Sequence, residues 1–561
     1  MTPHPLERPG WDPVQQESDV IVVGTGPGGA TIGRQLAAAG LRVLFCERGG
    51  NTTGRPDLLG QYPELAEGRG GAVPDGARDA AALARAGRCA DTLIDAEHPR
   101  RHAFVPFIGS GPGGSSALYG MAMERLLPRD FEPGDPPPDA SGSSAVVRWP
   151  IGYAELAPYY ARAEQLYRVR GERDPLAGIP DALPAEHRPQ LMAPAPISAA
   201  MGELAGFLVQ RGLHPYRLPL ACEALPDCRT CQGLRCHRAC KNDAARIGLQ
   251  PALELHGARL LEDCRVLEVL TEGRAARGVR VLHGGQARTL RSRLVVLAAG
   301  ALQTPLILLR SGAPAGRGLG NGSDQVGRNL MRHLIDLMQF KPAQGDPAAF
   351  DNRRKEIAFN DLYTDGGVRL GSVQSFGRLP PTDMLFGSLI DDLRASPAAA
   401  LAGLLPLVRP LVRPLIEPVL SGIELGHLTL ASIVEDLPYP QHRIAPVPGD
   451  PTRASLHYTL QPEARRRVQQ MRRRLEALLH GRRFKLLAQA HNNQRIAHVC
   501  GTCRFGDDPR SSVLDRDNRV HEVDGLFVVD ASFFPASGGT NPSLTIVANA
   551  LRVADRILES R

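Results

Sequence analysis

The sequence lacks the hydrophobic segments that direct a chain into or across a membrane. No uncharged apolar stretch reaches the roughly 18 residues that a membrane-spanning helix needs. The first residues, Met1–Glu17, contain no basic segment followed by an apolar one, and no pair of arginines precedes an apolar run. We therefore expect neither a secretory leader nor a spanning helix, and we expect a cytoplasmic protein.

Lysine is scarce, and the basic charge of the chain comes almost entirely from arginine. Only Lys241, Lys341, Lys355 and Lys485 are lysines among 66 basic residues, and 59 acidic residues leave a formal net charge of +7. That charge is small for 561 residues, and no zinc-finger spacing, helix-turn-helix pattern or basic run with interleaved aromatic residues is present. A nucleic-acid partner is therefore not expected.

What the sequence does contain is typical of a large globular protein with many turns. Apolar residues make up 43% of the 561 positions, which is enough for a large buried core and about two to four domains. The 59 glycines and 48 prolines follow no three-residue repeat, so they indicate turns rather than a collagen-like fibre.

A β-α-β unit is predicted near the start of the sequence. Asp19–Val23 is a continuous apolar run of the kind that forms a buried strand, Ala30–Ala39 predicts a helix, and Arg42–Cys46 predicts a second strand. Glu47 follows directly on that second strand. Strand, helix, strand and acidic residue together are far more specific for a dinucleotide site than a glycine motif alone.

The first glycine loop, residues 24–29, joins the predicted strand to the predicted helix. Gly24 permits a tight turn, Gly26 lets the backbone approach a pyrophosphate, and Gly29 lets helix and strand pack closely. The helix N-terminus offers free N–H groups to phosphate, and Glu47 can accept hydrogen bonds from a ribose. An acidic residue here disfavours a ribose 2′-phosphate, which leaves FAD, NAD and a structural adenine site as alternatives.

Later segments repeat these local signals. Leu294–Gly300 predicts another buried strand that ends in glycine, and Tyr153–Arg168 and Pro462–His480 predict amphipathic helices. The final helix is expected over residues 541–558. The chain therefore alternates strands and helices, which predicts an α/β fold.

Several ordered motifs together resemble the glucose–methanol–choline (GMC) oxidoreductase family. The second glycine loop, Gly109–Gly120, is similar to the first family signature, and Gly300–Gly312 is similar to the second. His498–Thr502, Val529–Pro535 and Asn541–Thr545 resemble the C-terminal catalytic block of the family. Two shorter segments are also similar to family segments: Trp149–Tyr153 and Val326–His333.

The resemblance implies an FAD flavoprotein that oxidises the CH–OH group of an alcohol, sterol, polyol or sugar by hydride transfer to flavin N5. The expected fold has a Rossmann-like FAD-binding domain of residues 19–335 and 492–561, and a substrate-binding cap of sheet and helices at residues 336–491. A flexible arm is expected at residues 1–18 and a cysteine-rich loop at 220–245. The electron acceptor is expected to be oxygen or another acceptor that the sequence does not name.

The resemblance also implies roles for individual residues. By this resemblance, the ADP half of FAD would be held by Gly24, Gly26, Gly29 and Glu47. The pyrophosphate or the isoalloxazine would be approached by Gly113, Gly114, Ser115 and Ser116. The ribityl and phosphate region would be contacted by Asp530 and Ala531. The second glycine loop contains no histidine or cysteine that could anchor flavin, so a non-covalent cofactor is expected.

Catalysis is expected to involve His498 and Asn541. A neutral imidazole suits removal of a hydroxyl proton because its pKa lies near working pH, and an amide can orient the alcohol oxygen. The alternatives are a structural role for His498 and an N-cap role for Asn541, with Pro542 as the first helical residue. The alternative function is a catalytically silent flavin-binding protein with an assembly or carrier role.

Five cysteines cluster between residues 222 and 240. Cys228, Cys231, Cys236 and Cys240 have spacings close to those of iron–sulfur and zinc sites, although they match no standard run. Some members of the family carry iron–sulfur clusters. Three interpretations stay open: an iron–sulfur cluster, a zinc site, and disulfides or free structural thiols.

An apolar segment with regularly spaced prolines lies at Leu401–Leu420. It carries Pro406, Pro410, Pro414 and Pro418, and proline at this spacing prevents a continuous helix. The segment is interpreted as an edge of the cap domain, with peripheral membrane contact or the mouth of an apolar substrate pocket as alternatives.

Overall fold

The computed structural model describes most of the chain, including both glycine loops and the C-terminal block. The described residues are 16–50, 80–99, 101–132, 148–226, 228, 230–236, 238–312, 316–341, 353–377, 379 and 427–561. The proline-spaced segment 401–420 and all but the end of the N-terminal arm lie outside them.

The strands and helices are numbered in chain order. The strands are β1 Ser18–Val23, β2 Val43–Cys46, β3 Thr92–Asp95, β4 Ala103–Phe104, β5 Tyr216–Arg217, β6 Arg259–Leu261, β7 Cys264–Glu272, β8 Ala275–His283, β9 Gln286–Leu297, β10 Leu334–Phe340, β11 Ile357–Phe359, β12 Thr364–Asp365, β13 Val368–Arg369, β14 Gly371–Ser375, β15 Leu428–Val434, β16 Arg443–Val447, β17 Asp450–His457, β18 Phe484–Leu487 and β19 Leu526–Val528. The α-helices are α1 Pro27–Ala38, α2 Ala80–Arg85, α3 Tyr153–Leu166, α4 Ala199–Val209, α5 Gln250–Leu255, α6 Thr304–Arg310, α7 Pro462–Leu478 and α8 Ser543–Glu559.

The first sheet contains the predicted β-α-β unit. Its order is β6-β2-β1-β9-β8-β7, and β19 also pairs with β9. The pairings from β6 to β9 and that of β19 are parallel, whereas β7, β8 and β9 form an antiparallel meander. The predicted α/β fold is confirmed by this parallel core with helices packed on it.

Strand β1 is covered on both faces, which explains its continuous apolar sequence. Val20 and Val22 pack in one cluster with residues of α1 and α8, while Ile21 and Val23 pack in a second cluster on the opposite face. Successive strand residues point to opposite faces, so a strand buried on both sides needs an apolar residue at every position.

The second sheet is antiparallel and follows the order β18-β10-β15-β14-β11-β5. Leu334, Met338 and Phe340 of β10 share a cluster with apolar residues of α4 and α7, so these two helices cover one face. Helix α4 and strand β5 come from the chain before residue 336 and nevertheless belong to this layer.

The opposite face of the second sheet carries polar side chains that are also buried. These residues alternate with the apolar positions of the same strands and are at most 5% exposed: Gln339, Ser372, Gln374 and Thr429. The polar face adjoins the C-terminal block, because Ser372 N donates to Gly539 O at 3.0 Å.

Smaller elements complete the fold. A four-stranded sheet of order β16-β17-β3-β4 packs Leu456 against Leu306 of α6. The predicted helices at 153–168 and 462–480 are confirmed as α3 and α7, each ending two residues early. Among the described helices, none is both long and apolar enough to cross a membrane.

Candidate active site

The Glu47 carboxylate joins the two glycine loops. It lies directly after β2 and is 4% exposed. One oxygen accepts hydrogen bonds from Thr25 N at 3.1 Å and Thr25 Oγ1 at 2.8 Å. The other accepts from Gly49 N at 3.1 Å and Gly111 N at 3.0 Å. A single buried carboxylate therefore sets the distance between loops that are far apart in sequence.

The N-terminus of α1 is left open by the first glycine loop. Gly26 is the N-cap residue and no side chain caps the helix; within the described part of the chain, no atom beyond the neighbouring backbone lies within 4 Å of the place where a Cβ of residue 26 would stand. By contrast, a Cβ at Gly28 would lie 2.2 Å from Val529 O, and one at Gly29 would lie 2.1 Å from Gly24 O. Because residue 26 is glycine, a space stays open beside the first backbone N–H groups of α1, which have no partner within the helix. This position suits a pyrophosphate.

The second glycine loop turns back against the first. Gly113 and Gly114 have φ angles of 88° and 52°, in the left-handed region that favours glycine. A Cβ at Gly114 would lie 3.1 Å from Gly26 Cα, so the two loops are in contact. The hydroxyl of Ser116 donates to Gly113 O at 2.6 Å, and that of Ser115 accepts from a backbone N–H at the start of the loop. Both hydroxyls therefore hold the loop in shape.

Asp530 connects the second family signature to the C-terminal block. Its Oδ2 accepts from Gly300 N at 2.9 Å and Thr304 Oγ1 at 2.5 Å, and its Oδ1 accepts from Ser532 N at 2.9 Å. Burial raises the pKa of Asp530, and these hydrogen bonds to the carboxylate act against that rise. Ala531 then begins a short 3₁₀ helix. Both residues lie at the carboxyl end of β19, beside the first glycine loop.

His498 stands between a second histidine and Asn541. Its Nδ1 lies 2.8 Å from Nδ1 of His333, and its Nε2 lies 3.5 Å from Nδ2 of Asn541. The two imidazole rings are nearly perpendicular, with centroids 5.0 Å apart. A backbone hydrogen bond holds the two histidine segments side by side, because His333 N donates to Ala497 O at 3.1 Å. The structure therefore brings together the two residues expected to be catalytic, and adds a third.

Both histidines are held in the neutral form. Burial lowers the pKa of His498 well below its ordinary value, and the nearby His333 and Lys355 lower it further. Burial also lowers the pKa of His333 to about 4, although the carbonyls of Ser537 and Gly538 act in the other direction. At neutral pH the pair is uncharged, so His498 has a free lone pair with which to accept a proton.

Asn541 does not cap the last helix, contrary to the N-cap interpretation. Helix α8 begins at Ser543, with Pro542 as its N-cap residue, and Ile546 N donates to Pro542 O at 3.1 Å. Asn541 therefore lies one residue before the N-cap residue. The Asn541 Oδ1 atom is buried and has no hydrogen-bond partner among the residues that the structure describes, which leaves the amide available to a ligand.

The clustered cysteines lie in two small groups, one of three thiols and one of two. The Sγ atoms of Cys222 and Cys228 are 3.9 Å apart, Cys228 also lies within hydrogen-bonding reach of Cys240, and Cys231 within that of Cys236. Within the described part of the chain, no group of three or more histidine, cysteine, aspartate or glutamate side chains is arranged to hold a metal ion. The geometry therefore gives no support to the iron–sulfur and zinc interpretations.

Two residues near the site were not assigned from the sequence. His333 closes the segment Val326–His333, so the family resemblance pointed to its neighbourhood but not to its role. Lys355 is one of only four lysines and is 7% exposed. Burial lowers the pKa of Lys355 to about 8, against the opposite effect of Glu124. The scarcity of lysine was the sequence signal that could have marked this position.

Asp130 lies beside the loop that carries Asn541 and should make stability depend on pH. Its Oδ2 accepts from Leu127 N and Tyr363 Oη, both at 2.7 Å. Burial raises the pKa of Asp130 from 3.8 to about 7, and Glu435 adds to the rise. When an acidic group has a higher pKa in the folded state than in the unfolded state, the protein loses stability as the pH rises from the unfolded-state pKa to the folded-state pKa. Here that window runs from about pH 4 to about pH 7.

We expect Asp130→Asn to remove most of this pH dependence. Relative to wild type, the variant should gain at most about 4 kcal/mol of stability between pH 4 and pH 8, since each pKa unit is worth about 1.4 kcal/mol. Melting temperatures at the two pH values measure the change.

Burial acts to raise the pKa of Glu223, but hydrogen bonds from Arg168 and Asn242 lower it to about 2. Glu223→Gln is therefore the control, with the same effect at pH 5.5 and pH 8. An equal offset for Asp130→Asn at all pH values would contradict the argument.

Comparison with known proteins gives a consistent result over the whole chain. Residues 221–335 and 443–550 match the N-terminal and C-terminal profiles described as GMC oxidoreductase. Paromamine 6'-oxidase of Streptomyces fradiae is 30% identical, over 99% of this chain and 94% of its own length. The 2-methyl-1,2-propanediol dehydrogenase of Mycolicibacterium austroafricanum is 26% identical, over 96% of this chain and 95% of its own length.

The fold is also found among solved structures. The crystal structure of pyridoxine 4-oxidase from Mesorbium loti superposes with a TM-score of 0.61 and 22% identity, covering 97% of this chain and 99% of that one. The sequence matches and the convergence of both glycine loops on the C-terminal block agree, and the chain belongs to the GMC oxidoreductase family.

Proposed function

We propose that the protein is an FAD-dependent enzyme that oxidises the CH–OH group of a small polyhydroxylated molecule, with His498 as the base. The observation that carries the proposal is the position of His498 Nε2, which is 3.5 Å from the Asn541 amide and opposite the nitrogen engaged by His333. This arrangement supplies a proton acceptor and a hydrogen-bond donor at one point, as alcohol oxidation requires.

The residues divide the work as follows in this proposal. When bound, FAD would supply the acceptor for the hydride that leaves the carbinol carbon. His498 Nε2 takes the hydroxyl proton, which increases the electron density that drives hydride release. Asn541 Nδ2 makes only a long contact with His498, so it can donate to the substrate oxygen and orient the carbon. The nearby positive charge of Lys355 favours the neutral form of His498.

A non-covalent cofactor is part of the proposal. The open N-terminus of α1 and the free space at Gly26 support binding of the pyrophosphate through backbone N–H groups. Gly113 and Gly114 bring the second glycine loop beside that space. No histidine or cysteine in the second glycine loop offers a covalent bond to flavin.

The polar face of the second sheet supports a hydroxylated substrate rather than a sterol. Among the described residues, Ser372 Oγ and Gln374 Oε1 are buried there without a hydrogen-bond partner, and such atoms are costly unless a ligand or water meets them. Strand β10 of this sheet starts directly after His333, so the face leads away from the proposed base. Two relatives are named for paromamine and for 2-methyl-1,2-propanediol, which agrees with a polyhydroxylated substrate.

The experiment is an anaerobic reduction screen with the purified yellow protein. Paromamine, 2-methyl-1,2-propanediol, fructose and cholesterol are mixed with the protein, and loss of the visible flavin absorbance is followed. We expect a hydroxylated molecule of the first three kinds to reduce the flavin faster than cholesterol. Flavin that stays oxidised with every alcohol would favour the catalytically silent flavoprotein instead.

The electron acceptor and the cysteines stay predictions. Reoxidation of the reduced protein by oxygen, compared with reoxidation by an artificial quinone, separates an oxidase from a dehydrogenase. Within the described residues, the geometry gives no support to an iron–sulfur cluster at Cys228, Cys231, Cys236 and Cys240, and we propose that these residues are structural thiols.

A further inference from the structure

The second histidine of the pair has its hydrogen-bonding pattern fixed by two carbonyl groups. His333 Nε2 lies 2.9 Å from Gly538 O and 3.3 Å from Ser537 O. A carbonyl oxygen only accepts, so Nε2 of His333 must carry a proton and donate it. His333 is 1% exposed, and burial keeps it uncharged, which leaves its Nδ1 without a proton.

This assignment determines the tautomer of His498. Its Nδ1 lies 2.8 Å from the bare Nδ1 of His333, and a short contact between two nitrogens requires that one of them donate. His333 has no proton to give there, so Nδ1 of His498 is the donor. The neutral His498 ring then has its lone pair on Nε2, and the Asn541 Nδ2 amide faces that lone pair.

We propose that His333 is a positioning residue that holds His498 in the tautomer whose Nε2 can accept the substrate proton. The inference rests on the proposed function, since it assumes that His498 is the base. It adds a chain of hydrogen bonds that runs from the carbonyls of residues 537 and 538, through both imidazoles, to the alcohol. No proton moves along this chain, because His333 keeps its Nε2 proton bonded to the carbonyls and only orients the His498 ring.

Backbone hydrogen bonds hold the two histidines in fixed positions. Met331 and Cys500 exchange two hydrogen bonds of 3.0 Å, and His333 N donates to Ala497 O, so the segments that carry the two histidines form a small antiparallel pair. His498 has a φ of 55°, in the left-handed region that a histidine adopts at a cost. This backbone conformation directs the imidazole toward His333, so the cost of the strain is linked to the contact between the two rings.

Among the described residues, few charged groups act on the His333–His498 pair. Lys355 is the cation that acts on His498, and Asp436 lies close by on the segment after β15, where it accepts from Arg332 N at 3.2 Å. Burial raises the pKa of Asp436 to about 6. The Cys500 thiol, two residues from His498, has a pKa raised by burial and is uncharged. Neither of the last two groups bonds to an imidazole, so the tautomer depends on His333.

Two substitutions separate the acceptor from the donor of His333. In His333→Asn the amide oxygen can take the place of Nδ1 and keep the acceptor for His498. In His333→Gln the amide nitrogen can take the place of Nε2 and keep the bond to Gly538 O, while the acceptor is lost. We expect His333→Gln to slow anaerobic flavin reduction by at least about 10-fold with little change in KM, and His333→Asn to restore most of the rate.

A direct measurement on the wild-type holoenzyme does not depend on the variants. Nitrogen NMR of the ¹⁵N-histidine-labelled protein, with His498→Ala to assign the signal, should show a protonated Nδ1 and a bare Nε2 in His498 at neutral pH. A protonated Nε2 in His498 would overturn the proposal, as would wild-type reduction by His333→Gln or equal loss in both variants. Failure of the proposed function is distinguishable, because His498→Ala would then reduce its flavin at the wild-type rate.

Discussion

His498→Ala should slow anaerobic flavin reduction by an alcohol by about 10²- to 10⁴-fold, the usual contribution of a general base, while FAD stays bound. The loss follows from removal of the Nε2 lone pair that faces Asn541. The cofactor should remain because the groups proposed to hold it lie in the two glycine loops, and these are tied together by Glu47 rather than by His498. Stopped-flow absorbance at saturating substrate measures the rate, and the visible spectrum measures bound flavin.

The pH profile supplies an independent check on the same residue. The pKa of His498 is lowered by burial, His333 and Lys355, so the base stays neutral below the ordinary pKa of histidine, which is about 6.5. The rate should therefore hold as pH falls to that value and decline only in more acidic solution. His214→Ala is the matched control, since His214 is exposed and bonds to Asp361 far along the chain. A reduction rate in His498→Ala equal to that of His214→Ala would reject His498 as the base.

Local sequence signals were sufficient for the elements that hold the first glycine loop. The buried strand β1, helix α1 and strand β2 were predicted because each is specified by residues within one element, and their bounds differ from the expectation by a few residues at most. For Asn541 the N-cap alternative is not met, because the first helical acceptor is the carbonyl of Pro542, one residue later, and its catalytic role stays a prediction.

Contacts between distant segments could not be predicted in this way. Glu47 was expected to meet a ribose, and the structure shows it first as the acceptor for backbone groups of both glycine loops. The His333–His498 contact joins residues 165 positions apart, and no local pattern encodes such a pairing. A sheet in residues 336–491 was expected from the resemblance, but the addition of β5 from much earlier in the chain was not, because pairing between distant strands leaves no local pattern in the sequence. The domain boundary at residue 336 stays a prediction.

The glycines of the first loop should respond to substitution in opposite ways, and Gly26→Asp should abolish FAD binding while leaving the fold intact. Residue 26 has φ −67° and no neighbour within 4 Å of a Cβ, so aspartate fits there without strain. As an N-cap it would bond to the first-turn N–H groups and place negative charge where the pyrophosphate belongs. We expect FAD affinity to fall by about 10²-fold or more, since hydrogen bonds to a charged group contribute about 1.5–3 kcal/mol each.

Gly28→Asp tests the other side of this argument. A Cβ there would stand 2.2 Å from Val529 O, so helix α1 must move away from the C-terminal block and the protein should lose both stability and FAD. Gly152→Asp is the control for an N-cap without a cofactor, because Gly152 precedes α3, has φ −90° and has no atom within 4 Å of a Cβ. Melting temperature and flavin content together separate the three outcomes. A yellow Gly26→Asp protein with wild-type flavin content would show that the pyrophosphate lies elsewhere, whereas a colourless and stable one ties the cofactor to the open end of α1.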